Sequence, residues 1–481
     1  MSAIADSSVP VSRRFPPRTL GDRSATVEPR HASQFQPLTV RQNFSWCALA
    51  NVVTAACGWG RLILLARLGN AEMIGQVVLA FAVSNPIASL ADLGLSGSLV
   101  TDAKGEYRFR HYLGLRLITA VAILIVVTGT ACLGGYSSRA AGLITLAGLA
   151  TALESVSDIL QAWLQKHERM DFVAVSLLLR GPLGLTLLAL CTWWSGDLLW
   201  GMWGFPVAAA ISLLLLDWPN AQRSLSRMPL ATEWERVGVR AHDRQNALPA
   251  EPFARAAARL AWVSAPLGIA TASIVLAGAI PRYAIHSYLG AAALGGFAVA
   301  GGFMLGSALI ANAVGQAIGP RLAQYHAAGE LSAFCRLLGK ALAAIATFDA
   351  GLTLALVLLG KPLLWACYGP QFTHYAQLAV CLMLVALVKD LGAALGRALS
   401  AMRRFRTNMA IRMAGILVLF ATLPAFVPTL GLNGAAAAMM SGWFCTTVIS
   451  SGVVLAACVR QRASPIAIPH STRSPSVADI F

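Results

Sequence analysis

The sequence predicts an all-α membrane protein of about twelve transmembrane helices, arranged as two six-helix bundles related by a parallel internal repeat. Composition is the first reason. Of 481 residues, 57% are hydrophobic and 12% charged, and the mean hydropathy is +0.65; a soluble domain averages about 25% charged residues. The second is a series of apolar runs long enough to cross a bilayer. The third is a spacing of one arginine and two glycines that recurs in the second half.

The first six runs fall at about 43–68, 73–99, 112–134, 138–162, 172–195 and 198–217. Six more follow at about 259–287, 291–319, 335–359, 375–402, 407–429 and 433–458. Twelve spans place both termini on one side, and the basic residues say which. Arg13, Arg14, Arg41, Lys104, Arg108, Arg110, Lys166, Arg169, Arg321, Arg403, Arg404 and Arg406 lie in the tails and even-numbered connections. The odd-numbered connections hold little beyond Arg139 and Lys361. By the positive-inside rule both termini are cytoplasmic. The net charge of +16 is therefore mainly a topology signal and gives no reason to invoke nucleic acid.

Residues 1–42 are rich in Pro, Ser and Arg and read as a disordered cytoplasmic tail, not as a cleavable signal peptide. The expected order is then a first bundle over 43–217, a cytoplasmic linker over 218–258, a second bundle over 259–458 and a cytoplasmic tail over 459–481. In the first bundle Arg61 stands eight residues before Gly69, and Gly69 six before Gly75. In the second, Arg282, Gly290 and Gly296 repeat that spacing, and Leu113-Gly114 is echoed by Leu338-Gly339. An even number of spans per half makes the repeat parallel. Nine cysteines are scattered singly without a CxxC pair, which indicates neither a disulfide framework nor a metal site. No cofactor is expected.

Ionisable residues inside a membrane are functional candidates by default. Glu154 and Asp158 are four apart on the fourth span and share a face. Arg180 lies at a matching depth on the fifth, so Glu154 and Arg180 read as a structural ion pair or as part of a functional site. Asp349 and Lys389, near the middle of the ninth and tenth spans, read as a structural pair or a proton or ion relay. Asp92 and Arg397, towards the cytoplasmic ends, read as reaching the headgroups. Asn85-Pro86 falls midway along the second span, where proline removes a hydrogen bond; it reads as a hinge or a packing irregularity. Arg67, two residues from the outer end of its span, can snorkel. Arg61 and Arg282 are deeper, and no acid of matching depth presents itself. An arginine at mid-membrane costs about 2.5–3.5 kcal/mol on insertion scales, so both should face a wet cavity. A planar guanidinium there suits phosphate.

From about residue 43 to about 459 the chain resembles the oligosaccharide-lipid flippases of polysaccharide biosynthesis, in the multidrug/oligosaccharidyl-lipid/polysaccharide exporter superfamily. The segments that carry the likeness are LARLGNAEMIGQVVLAFAVSNPIASLADLGL, TDAKGEYRFRHYLGLRL, LQKHERMD, AIPRYAIHSYLGAAALGGFAVA and IGPRLAQYHAAGELSAF. The resemblance implies two six-helix bundles that open alternately to the two sides of the bacterial inner membrane. It implies transport of an undecaprenyl-diphosphate-linked oligosaccharide, for exopolysaccharide or lipopolysaccharide assembly, with no bond made or broken. Membrane lipids, a polysaccharide polymerase and glycosyltransferases are the other partners it implies. Members use basic residues on the first helix and at the start of the second bundle for the lipid diphosphate, positions held here by Arg61, Arg282 and Arg67. Many members have Asp-Arg where this chain has Pro281-Arg282, so ion coupling through that acid does not carry over. Two rivals stay open: a cation-coupled drug exporter of the same superfamily, and a membrane polymerase or glycosyltransferase acting on the same lipid-linked substrate.

Overall fold

The computed structural model describes residues 38–102, 106–227 and 252–463. The expected tails, apart from a few residues, and most of the expected linker lie outside these residues. The described elements are helical throughout. In the first half they are α1 (Val40–Leu68), α2 (Ala71–Ala91), α3 (Leu95–Thr101), α4 (Phe109–Leu133), α5 (Ser138–Lys166) and α6 (Met170–Ser195). The sixth span is assembled from α7 (Leu198–Met202), α8 (Gly204–Ser212), a π-turn (Leu213–Asp217) and α9 (Trp218–Arg227). The second half has α10 (Phe253–Gly301), α11 (Met304–Ala327), α12 (Leu331–Tyr368), α13 (Ala376–Ala401) and α14 (Phe405–Ala463). Ten of the described helices are long and apolar enough to cross a membrane. Gly290 interrupts α10 and Gly431 interrupts α14, both at positive φ, so each of these long helices serves two spans. Residues 218–227 and 253–258, expected in the linker, are helical extensions of spans whose apolar part is shorter.

Local sequence explains the ends. Thr39 and Gln42 form a capping box before α1, and Asn70 caps α2 by accepting from the Met73 amide at 2.9 Å. Gly196 ends α6 in the left-handed conformation that glycine adopts without a Cβ penalty. We call the face where α1 begins the tail face and the opposite one the far face.

Asn85 and Pro86 do not interrupt α2, which is continuous to Ala91; the helix breaks later, at Leu93 and Gly94, both at positive φ. The reason is a substitute donor. Proline at 86 has no N–H for the carbonyl of Ala82, and the Tyr283 hydroxyl of the second half donates to that carbonyl at 2.6 Å.

Two of the seams between the halves bear on the site. Along one, α2 lies against α10. Gly94 and Gly268 touch backbone to backbone, so a Cβ on Gly268 would fall 2.5 Å from the Leu93 Cα. Near the far face, a Cβ on Gly75 would fall 1.8 Å from the Ala291 carbonyl oxygen, and one on Gly295 would fall 1.7 Å from that of Ala71. This reciprocal crossing pairs Ala71–Gly75 with Ala291–Gly295, one residue out of register with the arginine–glycine spacing. The other seam is at the far-face end of α1. There Trp59 donates to the Tyr368 hydroxyl at 2.7 Å, and Gln371 donates to the Ala66 carbonyl at 3.0 Å.

Candidate functional site

Arg61, Gly58 and Thr54 recur along one stripe of α1 and line a cavity of about 310 Å³ inside the first half. α2 contributes Phe81 and Asn85, α5 Glu154, α6 Arg180 and α8 Phe205. Phe81 and Phe205 meet edge to face with ring centroids 5.3 Å apart. The Arg61 Cζ lies 4.9 Å from the Phe81 ring centre and 5.5 Å from that of Phe205. Two aromatic faces hold the guanidinium by cation–π attraction, worth about 0.5–2 kcal/mol each, and its N–H groups have no acceptor among the described residues.

Glu154 Oε1 and Arg180 Nε are 3.8 Å apart. Glu154 also lies within electrostatic reach of Arg61, as does Arg282 from the second half. This corrects the expectation that Arg61 has no acid at its depth. Glu154 of α5 and Arg61 of α1 face the same cavity, which counting residues from the span ends does not capture. Arg282 is exposed and has no hydrogen-bond or ion-pair partner among the described residues. The cavity lining thus sets two guanidinium groups, Arg61 and Arg180, beside one carboxylate, Glu154, while Arg282 lies outside the lining and within electrostatic reach of Arg61. A low-dielectric site with that surplus favours an anion, and planar forks favour oxyanions.

Arg67 is placed elsewhere. Its guanidinium donates to the carbonyls of Trp365, Ala366 and Cys367 at the end of α12, with Nη2 3.2 Å from Trp365 O and Nε 3.3 Å from Cys367 O. It caps a helix C-terminus and ties the halves together at the far face.

Asp158 shares the α5 stripe with Glu154 but opens into a second polar cavity nearer the tail face, lined also by Asp92, Ser96, Gln161 and Gln165. Asp92 does not reach for headgroups: it pairs with Arg116, which is completely buried and also donates to Ser96 at 3.0 Å. Arg397 likewise turns inward, donating to the Ala311 carbonyl at 3.2 Å and to Asn312 at 3.3 Å. The expected pairing of Asp349 with Lys389 is replaced. Lys389 Nζ is 3.3 Å from its chain neighbour Asp390, and Asp349 is bonded to Ser307. Arg116, Asp390 and Ser307 escaped the sequence reading. Arg116 sits inside an apolar run and Asp390 is masked by the adjacent lysine, so a scan for unpaired charges among spans is the signal that would have found those two.

A family model described as polysaccharide biosynthesis protein matches residues 40–326, more than half of the chain. The chain belongs to the polysaccharide biosynthesis protein family. The capsular polysaccharide biosynthesis protein CapF of Staphylococcus aureus is a curated relative, 23% identical over 401 residues, which is 82% of this chain and 94% of CapF. Among solved structures, the lipid II flippase MurJ in an inward closed conformation is similar with a TM-score of 0.65 and 12% identity. The match covers 87% of this chain and 90% of MurJ. A MOP superfamily transporter from Pyrococcus furiosus matches with a TM-score of 0.57 and 11% identity, over 88% of this chain and 96% of the transporter. At these identities the structures establish the fold, that of MOP superfamily transporters. This member of the family is a multi-pass membrane protein.

Proposed function

We propose that the protein is a flippase that moves undecaprenyl-diphosphate-linked oligosaccharide repeat units from the cytoplasmic to the periplasmic leaflet of a bacterial inner membrane. The tail face is cytoplasmic on this reading. One observation carries it: Arg61 and Arg180 outnumber Glu154 in the cavity lining, and Arg282 of the opposite half lies within electrostatic reach of Arg61. A diphosphate can bridge such forks, and the cavity-facing amide of Asn85 suits sugar hydroxyls. The prenyl chain stays in lipid while the halves rock around the site, a ligand shifting the balance of two states only through differential affinity.

The fold alone does not separate this from drug export, since a multidrug resistance MATE family transporter of the MOP superfamily matches with a TM-score of 0.58 over 90% of this chain. The cavity charge supports the flippase reading, since Arg61 and Arg180 outnumber Glu154 in the lining and disfavour cationic drugs. The test is polysaccharide export by cells carrying Arg61→Ala or Arg282→Ala, normalised to protein in the membrane. Each should abolish or sharply reduce export and trap lipid-linked oligosaccharide in the cytoplasmic leaflet, and lysine should rescue only in part. Wild-type export with increased drug sensitivity would point to the exporter instead.

A further inference from the structure

In the second half one hydroxyl stands between two carboxyl groups. Ser307 Oγ on α11 is 2.8 Å from Asp349 Oδ1 on α12 and 2.5 Å from Asp390 Oδ2 on α13. All three residues are buried, none more than 4% exposed. A serine hydroxyl has a single proton to donate. With both carboxylates ionised, one contact would press lone pair against lone pair at hydrogen-bond distance, in a layer with little water to screen it. One additional proton removes the conflict. A carboxylic acid donates to Oγ, and Oγ donates to the remaining carboxylate.

The geometry says which group holds it. The Asp390 contact has the length of a hydroxyl bonded to an anion, about 2.5–2.7 Å, and the other Asp390 oxygen faces Lys389 Nζ at 3.3 Å. The Asp349 contact has the length of a neutral O–H···O bond, about 2.7–2.8 Å. Asp349 Oδ2 is buried without a partner among the described residues. Leaving an oxygen of a neutral acid unbonded costs far less than leaving that of a carboxylate. The Thr353 hydroxyl, one turn away, is bonded to the Asp349 backbone carbonyl and gives the side chain no help.

We propose that Ser307, Asp349 and Asp390 form a one-proton binding site in the second half, occupied in this structure by a proton on Asp349. The charges that act on Asp349 are Asp390 and Lys389 of α13. Arg397 of the same helix acts on Asp390, and Arg412 of α14 acts on Arg397. Release breaks the Asp349 O–H bond and sends its proton to water, leaving two carboxylates and one ammonium around one hydroxyl. The second carboxylate then lacks a proton donor at Oγ and calls for water, so release is tied to α12 parting from α11 and α13, and rebinding to their closing. A metal ion is not the occupant the geometry favours, because Oγ already touches both carboxyl groups and leaves no seat between them. The site is independent of the flippase reading, since its proton is measurable without any cargo.

The experiment is infrared spectroscopy of the purified full-length protein in lipid, titrated with pH and checked by hydrogen–deuterium exchange. A protonated-carboxyl C=O band should persist well above the ordinary carboxylate range of about pH 4. It should vanish in Asp349→Asn, whose amide can still donate to Ser307 and keep the packing. In Asp390→Asn the serine proton is freed for Asp349, so the Asp349 band should titrate at lower pH; a merely structural acid would not move in that direction. This second variant retains Asp349 and decides the matter should the first fail to accumulate. The proposal falls if no such band exists, if Asp349→Asn leaves it unchanged, or if sodium but not potassium displaces it at constant pH.

Discussion

The Tyr283 hydroxyl donates across the two halves to the Ala82 carbonyl at 2.6 Å, the carbonyl that Pro86 leaves without its helical partner. Two departures from regular structure are thereby joined. A proline weakens α2 at mid-membrane, and the residue next to Arg282 repairs it. Any motion that separates α2 from α10 must give up this bond and expose the carbonyl to cavity water.

Tyr283→Phe should therefore destabilise the closed seam by about 1–3 kcal/mol, the cost of a buried group left unbonded. Pro86→Ala restores an N–H for Ala82 and should remove most of that cost. Thermal unfolding of the two single variants and the double variant forms the cycle that checks it. Simple additivity would show that the two residues act separately.

Gly75→Ala and Gly295→Ala should each hold the far-face ends of the halves apart. The added carbon would lie within 2 Å of a backbone carbonyl that cannot swing aside. Export should fall at normal membrane levels. Spin labels on α2 and α13 near that face should report a longer distance, and an unchanged distance would contradict the argument.

Asp92→Ala should lower the amount of folded protein, by about 3–5 kcal/mol of stability, because it strands the buried Arg116 guanidinium. Arg116→Met combined with Asp92→Leu replaces a buried pair with apolar contacts and should recover much of the loss. Membrane protein level and melting temperature are the readouts.

Arg67→Ala should leave substantial export, in contrast to the cavity arginines. Its donors serve three carbonyls at an exposed helix end, where water can take over at a cost under about 1 kcal/mol. Export as low as in Arg61→Ala would place Arg67 on the path of the cargo.

The helices were legible because apolar length and glycine punctuation act locally, so Gly69, Gly290 and Gly431 mark turns in sequence and in space alike. Arg61 and Arg282 drew notice in the sequence because lipid makes a charge at that depth expensive. Partners were harder. Lys389 was matched to Asp349 by depth, whereas rotation about the helix axis brings it to Asp390 and leaves Asp349 to Ser307. Ser307, an uncharged residue, gave no signal at all. Pro86 was read for the bond it lacks, and the tyrosine that supplies the substitute lies about two hundred residues away.

On the flippase reading Arg61, Arg180 and Arg282, taken with Glu154, have an electrical meaning. With Arg282 brought to the cargo on that reading, the empty carrier presents two surplus positive charges, and a diphosphate diester brings one negative charge on each phosphate. A loaded carrier is then nearly neutral and moves outward with little regard to voltage. The empty carrier is not, and a potential negative inside acts on each charge by up to about 2.3 kcal/mol per 100 mV traversed. The membrane potential would thus do little to push the cargo out and would instead draw the vacant carrier back for the next one.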